Sequence, residues 1–91
     1  MSVKVCTQDP FRKFLDNESE VVVAGTTVHE AFAALRSRYP RFIERVLQRD
    51  GSISRYINVY VNEEDIRFLQ NQQTALNDGD EIRIIPAIAG G

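Results

Sequence analysis

An α+β fold, a mixed sheet of four to five strands packed on one main helix, is what this sequence predicts. Three observations lead to it. Apolar and polar residues alternate in the manner of half-buried strands near the start, in the middle and near the end of the chain. One segment between them, from Thr27 onward, repeats its apolar residues at helical spacing instead. The chain has 91 residues, enough to fill one core and too few for a second.

The first strand is expected over Ser2-Val3-Lys4-Val5-Cys6-Thr7, where polar and apolar residues alternate until Asp9-Pro10 interrupts them. A short link carrying Phe11, Phe14 and Leu15 follows. Glu20-Val21-Val22-Val23 is β-branched and reads as a second strand, with an antiparallel hairpin as the natural pairing for the two. Gly25-Thr26-Thr27 stops it. Thr27 and Glu30 have capping-box spacing, and Val28, Ala31, Phe32 and Leu35 form one apolar stripe, so a helix is expected over 27–39. Pro40 ends or kinks that helix at Tyr39. Phe42, Ile43, Val46 and Leu47 suggest a further short helical segment beside the first, before a turn at Asp50-Gly51-Ser52.

Ile57, Val59 and Val61 alternate with Asn58, Tyr60 and Asn62, the clearest period-two signal in the chain. Asn62-Glu63-Glu64-Asp65 turns the chain, and Ile66-Arg67-Phe68 is expected to return as a short strand. Gln70-Asn71-Gln72-Gln73 reads as a polar loop. Asp78-Gly79-Asp80 is a strong turn signal ahead of a last strand over Glu81-Ile82-Arg83-Ile84-Ile85, which Pro86 ends because it has no amide to donate. Strand, strand, helix, strand, short strand, strand is also the order of the ubiquitin-like β-grasp. The expected division is a β-grasp domain over 1–86 and a flexible C-terminal Gly-Gly tail over 87–91.

The 43% hydrophobic and 26% charged fractions are those of an ordinary soluble globular protein. A net charge of −2 and a pI near 5.3 argue against nucleic acid as a partner, because phosphate binding needs a concentrated basic face. The one basic cluster is Arg36, Arg38, Arg41, Arg45 and Arg49, relieved only by Glu44. It reads either as a solvated helical surface or, since Arg suits paired carboxylates, as a docking face for an acidic protein partner in which Arg41 and Arg45 make contact. No signal peptide and no long apolar run is visible, so neither export nor a membrane is expected. With one cysteine there is no intramolecular disulfide and no thiolate set for zinc, which points to a reducing cytoplasm.

Enzymatic constellations are nearly absent. Cys6 lies in an apolar-rich strand and reads as a packed or edge thiol; His29 has no evident nucleophile to serve. Glu63-Glu64-Asp65 sits in a turn, where successive side chains diverge too far to act as an acid–base pair. Neither a phosphate cradle nor a serine elbow is present. No metal site, no catalytic residue and no cofactor bound by this chain is expected. The terminus is different. Gly90-Gly91 leaves a carboxylate approached by two residues without Cβ, able to thread a narrow channel. A carboxylate is a poor electrophile, so its use as an acyl donor needs activation by a partner with its own nucleotide site.

The stretch from Asp78-Gly79-Asp80-Glu81-Ile82 through Ile85-Pro86-Ala87-Ile88-Ala89-Gly90-Gly91 resembles the end of the MoaD/ThiS sulfur-carrier family, with its acidic turn, final strand and Gly-Gly terminus. Tyr56-Ile57-Asn58-Val59-Tyr60-Val61-Asn62-Glu63-Glu64-Asp65-Ile66-Arg67-Phe68 resembles the family's central strand and turn. Within the family the chain looks most similar to the cysteine-biosynthesis, CysO-like branch. The resemblance implies a β-grasp carrier. An E1-like enzyme, using ATP and Mg, adenylates the Gly91 carboxylate, and a sulfur donor protein converts the adenylate to a thiocarboxylate. That group then delivers sulfur on an acceptor synthase. In the cysteine branch this is a cysteine synthase acting on an activated serine derivative, with a JAMM-type metalloprotease releasing cysteine from the tail.

Gly91 would hold the cargo, Gly90 give steric access, and Ala87, Ile88 and Ala89 form the reach. By the same resemblance Asp78 and Asp80 would help a partner dock, with Ile82 and Ile84 close by but better placed as core. Three alternatives stand beside this reading: a molybdopterin synthase small subunit, a ubiquitin-like modifier conjugated through Gly91, and a β-grasp interaction module without acyl chemistry.

Overall fold

The structure, a computed structural model, describes residues 2–87. Strands β1 (Ser2–Cys6) and β2 (Glu20–Ala24) form the expected antiparallel hairpin, with Val3 opposite Val23 and Val5 opposite Val21. Helices α1 (Val28–Arg38) and α2 (Pro40–Val46) follow, then β3 (Ile57–Val61), β4 (Glu64–Asp65) and β5 (Glu81–Pro86). The sheet runs in the order β2-β1-β5-β3-β4. Pairing between β1 and β5 is parallel and the rest is antiparallel, so the sheet is mixed as expected. The last strand of the chain is thus the central one.

Period-two alternation decides which face of each strand is buried. Val3 and Val5, Val21 and Val23, Ile57, Val59 and Val61, and Ile82 and Ile84 all point under the helices. Val28, Ala31, Phe32 and Leu35 of α1 meet them, and Phe42, Ile43 and Val46 of α2 extend the same layer. Pro40 stands at the first position of α2, where its missing amide costs nothing, so it restarts the helix rather than kinking it. Leu15 is buried from a 3₁₀ turn at Phe11–Leu15 that supplies the link after β1, and Phe11 meets the Phe42 ring edge-on at 6.3 Å.

The start of α1 departs from the expected capping box in one detail. Thr27 Oγ1 accepts from the Glu30 amide at 3.1 Å, as expected. Glu30 reaches one residue further back, accepting from the amide and hydroxyl of Thr26 at 2.8 and 2.7 Å. Gly25 precedes this cap and is needed for a different reason. A Cβ there would lie 2.8 Å from the Ala31 amide nitrogen, inside the first turn of α1.

A second departure is a correction. Ile66-Arg67-Phe68 does not return as a strand; Glu64–Asp65 does, across a two-residue turn at Asn62-Glu63. Both turn residues have positive φ, 48° and 75°, the geometry that matches the twist of a tight hairpin. Asp65 then accepts from the Arg67 amide at 2.9 Å and caps a 3₁₀ turn over Ile66–Phe68. That turn sends Ile66 into the core, 1% exposed, and leaves Phe68 84% exposed, a split that a strand, with i and i+2 on one face, could not make. Asn71–Gln73 of the expected polar loop forms another 3₁₀ turn.

Of the expected tail 87–91, only Ala87 is described, and its amide donates to the Tyr56 carbonyl at 2.6 Å. Ile88, Ala89, Gly90 and Gly91 lie outside the described residues. Among the described residues no helix is long and apolar enough to cross a membrane.

Two outcomes follow from the turn between β2 and α1. Gly25→Ala should lower stability by about 1–3 kcal/mol, because the obstacle is backbone that cannot swing away; urea unfolding reads the loss. The Thr26 hydrogen bonds hold the Glu30 carboxyl below its ordinary 4.5. A depressed carboxyl contributes stability above its unfolded pKa and loses it as pH falls through the folded value. The urea midpoints of wild type and Glu30→Gln should therefore differ at neutral pH and converge in acid.

Candidate functional site

The end of the sheet where β5 finishes is built from three strands. Ile57 of β3 lies opposite Pro86, and Cys6 of β1 aligns with Arg83. Thr7, just past β1, donates its hydroxyl to the Ile84 carbonyl at 2.8 Å. Ala87 continues the β3 ladder by one bond, to Tyr56. The root of the tail is therefore held through residue 87, and Tyr56, 58% exposed, stands beside it. From residue 87 to Gly91 the chain has a covalent reach of at most about 14 Å. In the sequence Tyr56 carries no site signal beyond opening the central-strand resemblance, because it sits one residue outside the alternating run that marks β3.

The acidic turn lies at the other end of β5, about 20 Å away at the usual rise of an extended strand. Its carboxylates serve the fold. Asp78 accepts from the Ser2 amide at 2.8 Å, and the Gly79 amide donates back to the Ser2 carbonyl at 2.8 Å. Gly79 has φ +86°, which a side chain would resist. Asp80 accepts from the Asn77 amide at 2.8 Å and from Asn62 Nδ2 at 2.9 Å, while Asn62 Oδ1 accepts from the Glu81 amide at 3.1 Å. Asp80 therefore stitches the start of β5 to the β3–β4 turn. Ile82 and Ile84 are fully buried, in keeping with a core role.

The five arginines divide between two grooves, each taking arginines from both sides of the α1–α2 break. Arg38, Arg41 and Arg45 line one groove together with Lys13, Phe14, Asp16, Tyr39 and Pro40. Arg36 and Arg49 line another, with Ile43, Glu44, Leu47 and Gln48. In the first groove Arg45 and Lys13 lie 5.2 and 5.3 Å from the centre of the Phe14 ring. Arg38 donates to the Val22 carbonyl at 2.7 Å and lies over Tyr39. Lys13, Phe14 and Tyr39 were not flagged with the arginines, since Lys13 and Phe14 are far from them in sequence and only the fold brings them together.

The outer face of the sheet carries Lys4, Cys6, Tyr60, Arg83 and Ile85, with Arg83 paired to Glu81 at 2.9 Å. Burial, seconded by the Glu81 and Glu20 carboxylates, pushes the Cys6 thiol up to about 11, so it is neutral and a weak nucleophile near pH 7. His29 is exposed near the start of α1. No cluster of three His, Cys, Asp or Glu able to hold a metal occurs among the described residues.

Residues 9–91 match the ThiS family. The chain belongs to that family. It is 34% identical to the sulfur carrier protein CysO of Mycobacterium tuberculosis, over the whole of both chains. Among solved structures, the Amycolatopsis orientalis BexX/CysO complex matches it with a TM-score of 0.89 and 36% identity, over 98% of this chain and 99% of that one. SAMP1 of Haloferax volcanii superposes with a TM-score of 0.84 and 26% identity over the whole of both chains. The fold is thus the ubiquitin-like β-grasp, and the resemblance seen in the sequence to ThiS-family sulfur carriers of the CysO kind holds along the chain.

Within this ThiS-family fold, Asp80→Ala should cost about 1–3 kcal/mol in urea unfolding, since it strands the Asn77 amide and frees Asn62. Asp78→Ala, which frees one amide at the exposed start of β1, should cost less than Asp80→Ala in the same assay.

Proposed function

We propose that this chain carries sulfur as a thiocarboxylate on Gly91, activated and unloaded by other proteins. The observation that carries the reading is the placement of β5. A central strand, hydrogen-bonded on both sides and held through Ala87, brings the chain to the end of the sheet just before Ile88-Ala89-Gly90-Gly91. Whole-length similarity to CysO supports the same assignment.

The chemistry follows from what a carboxylate needs. An E1-like partner binds ATP and Mg, and the Gly91 carboxylate attacks the α-phosphorus, breaking the α–β phosphoanhydride and releasing pyrophosphate, which converts a poor electrophile into a mixed anhydride with AMP. A sulfur donor protein then supplies sulfide to that carbonyl, AMP leaves, and the thiocarboxylate forms. Gly90 and Gly91 have no Cβ to obstruct a narrow channel, and Ala89 and Ile88 complete the reach. The tail's short span means the partner's nucleotide has to lie within about 14 Å of the sheet end. The acceptor is most consistent with the cysteine branch: a cysteine synthase holding an activated serine derivative, followed by a JAMM-type metalloprotease. That solved CysO in complex with BexX is a precedent for a carrier of this kind docking on a partner protein.

A second reading, a protein modifier conjugated through Gly91 to lysines, draws on the likeness to SAMP1.

Incubation with an E1-like partner, ATP and a sulfide source should replace one oxygen by sulfur at the C-terminus, read by intact mass. Deletion of Gly91 should abolish the mass change and leave the urea midpoint unaltered, whereas Cys6→Ser should keep it. Sulfur retained on Cys6 instead, or no sulfur gained with any E1-like partner, counts against the carrier reading. Gly-Gly remnants on host lysines would favour the modifier.

A further inference from the structure

The groove at Lys13, Arg38, Arg41 and Arg45 has no place in the acyl chemistry of the tail. Around an open space of about 610 Å³ it gathers four cations and one carboxylate, Asp16. The whole chain, by contrast, carries a net charge of −2. The fold leaves these cations unneutralised: the ion pairs among the described residues are Arg67–Asp65 and Arg83–Glu81, neither of which touches the groove. Two aromatic rings set the geometry. Phe14 lies beneath Arg45 and Lys13, and Tyr39 beneath Arg38, whose guanidinium also bonds the Val22 carbonyl. Stacking and a backbone tether restrain side chains that would otherwise sweep freely, which lowers the entropy lost when they grip an anion.

Topology puts the groove towards the end of the molecule where β5 finishes. The 3₁₀ turn bearing Lys13 and Phe14 follows β1, which runs parallel to β5, aligns its last residue, Cys6, with Arg83 midway along β5, and is followed by Thr7 bonded to the Ile84 carbonyl. That turn packs on α2 through Phe11 and Phe42. A protein that takes up the tail at the sheet end is therefore in reach of the groove as well.

We propose that this groove receives an acidic segment of the protein that engages the tail, with Arg41 and Arg45 the principal contacts. Arg presents a planar donor fork that matches a carboxylate, and several Asp or Glu side chains on one short segment would satisfy the four cations together. Nucleic acid fits less well, because the basic surface is confined to one groove on an acidic protein and gives a phosphate backbone no track to follow. That the occupant belongs to a tail-handling partner rests on the carrier reading; the groove's selectivity for acidic peptide does not.

The test uses the full chain and a fluorescent peptide of alternating Glu and Gly as probe, with a single-stranded oligothymidylate of equal charge as competitor class. Anisotropy should show saturable peptide binding that weakens as salt is raised, and NMR shifts should concentrate at Lys13, Phe14, Tyr39, Arg41 and Arg45. Arg41→Glu should weaken binding about tenfold or more, while Arg55→Glu, an exposed change of the same charge, should stay within about twofold. Equal losses from both variants would reduce the effect to bulk charge and overturn the proposal. So would shifts scattered over Lys4, Arg55 and Arg83, or tighter binding of the oligonucleotide. Sulfur loading of Gly91 is read separately by mass, so failure of the groove and failure of the carrier reading give different results.

Discussion

Strand β5 is gripped on both sides, by β1 in parallel and by β3 antiparallel, and everything else in the molecule is arranged around it. Ile82 and Ile84 are fully buried under the helices, and burial of two such side chains is worth about 1.5–3 kcal/mol each. Against a typical total stability of about 5–15 kcal/mol, that is a large share from one strand. The sheet cannot close until the chain's last segment has entered between strands made much earlier. The two ends of the sequence are thus committed to each other: Ser2 is bonded to Asp78 and Gly79, Lys4 to Asp80, and Thr7 to Ile84.

This arrangement separates the demands made on the two ends of β5. At its start the acidic turn is consumed by internal bonds, with Asp78 on β1 and Asp80 on the β3–β4 turn. At its finish Pro86 has no amide to donate, Ala87 makes one bond to Tyr56, and Ile88-Ala89-Gly90-Gly91 follow in the sequence. The carboxylates of Asp78 and Asp80 thus have internal partners, while the groove cations Lys13, Arg38, Arg41 and Arg45 form no ion pair among the described residues. Charge that the fold does not use is better evidence for a partner than charge that it does.

Much of this was legible in the sequence where local pattern and tertiary demand agree. The alternation of Ile57, Val59 and Val61 is read as a strand because the same residues face the helices. Thr27 caps α1 because its hydroxyl meets an otherwise orphan amide. Ile66-Arg67-Phe68 was misread for the converse reason: its two apolar residues have strand spacing, but Asp65 takes the Arg67 amide and turns the backbone before a ladder can form. The arginines between residues 36 and 49 look like one surface when written in a line. They line two grooves, Arg38 with Arg41 and Arg45 in one and Arg36 with Arg49 in the other, and each set spans the break at Tyr39-Pro40. No linear pattern could have joined Lys13 and Phe14 to that set, since the contact depends on a 3₁₀ turn folding back on α2.

The same logic bears on why a carrier would place its reactive end after a central strand and not an edge strand. An edge strand can peel from one neighbour, and its end moves with it. β5 is gripped on both sides over Glu81–Arg83, and β3 alone carries the ladder on to Pro86 and Ala87, so residue 87 is held by β3 and by the two-sided half of the strand behind it. Beyond Ile88, an alanine and two glycines put little side-chain bulk in the way of an enzyme channel. On the proposed carrier reading, a root held at residue 87 would let a partner locate Gly91 by docking the domain. The partner then need only admit the tail.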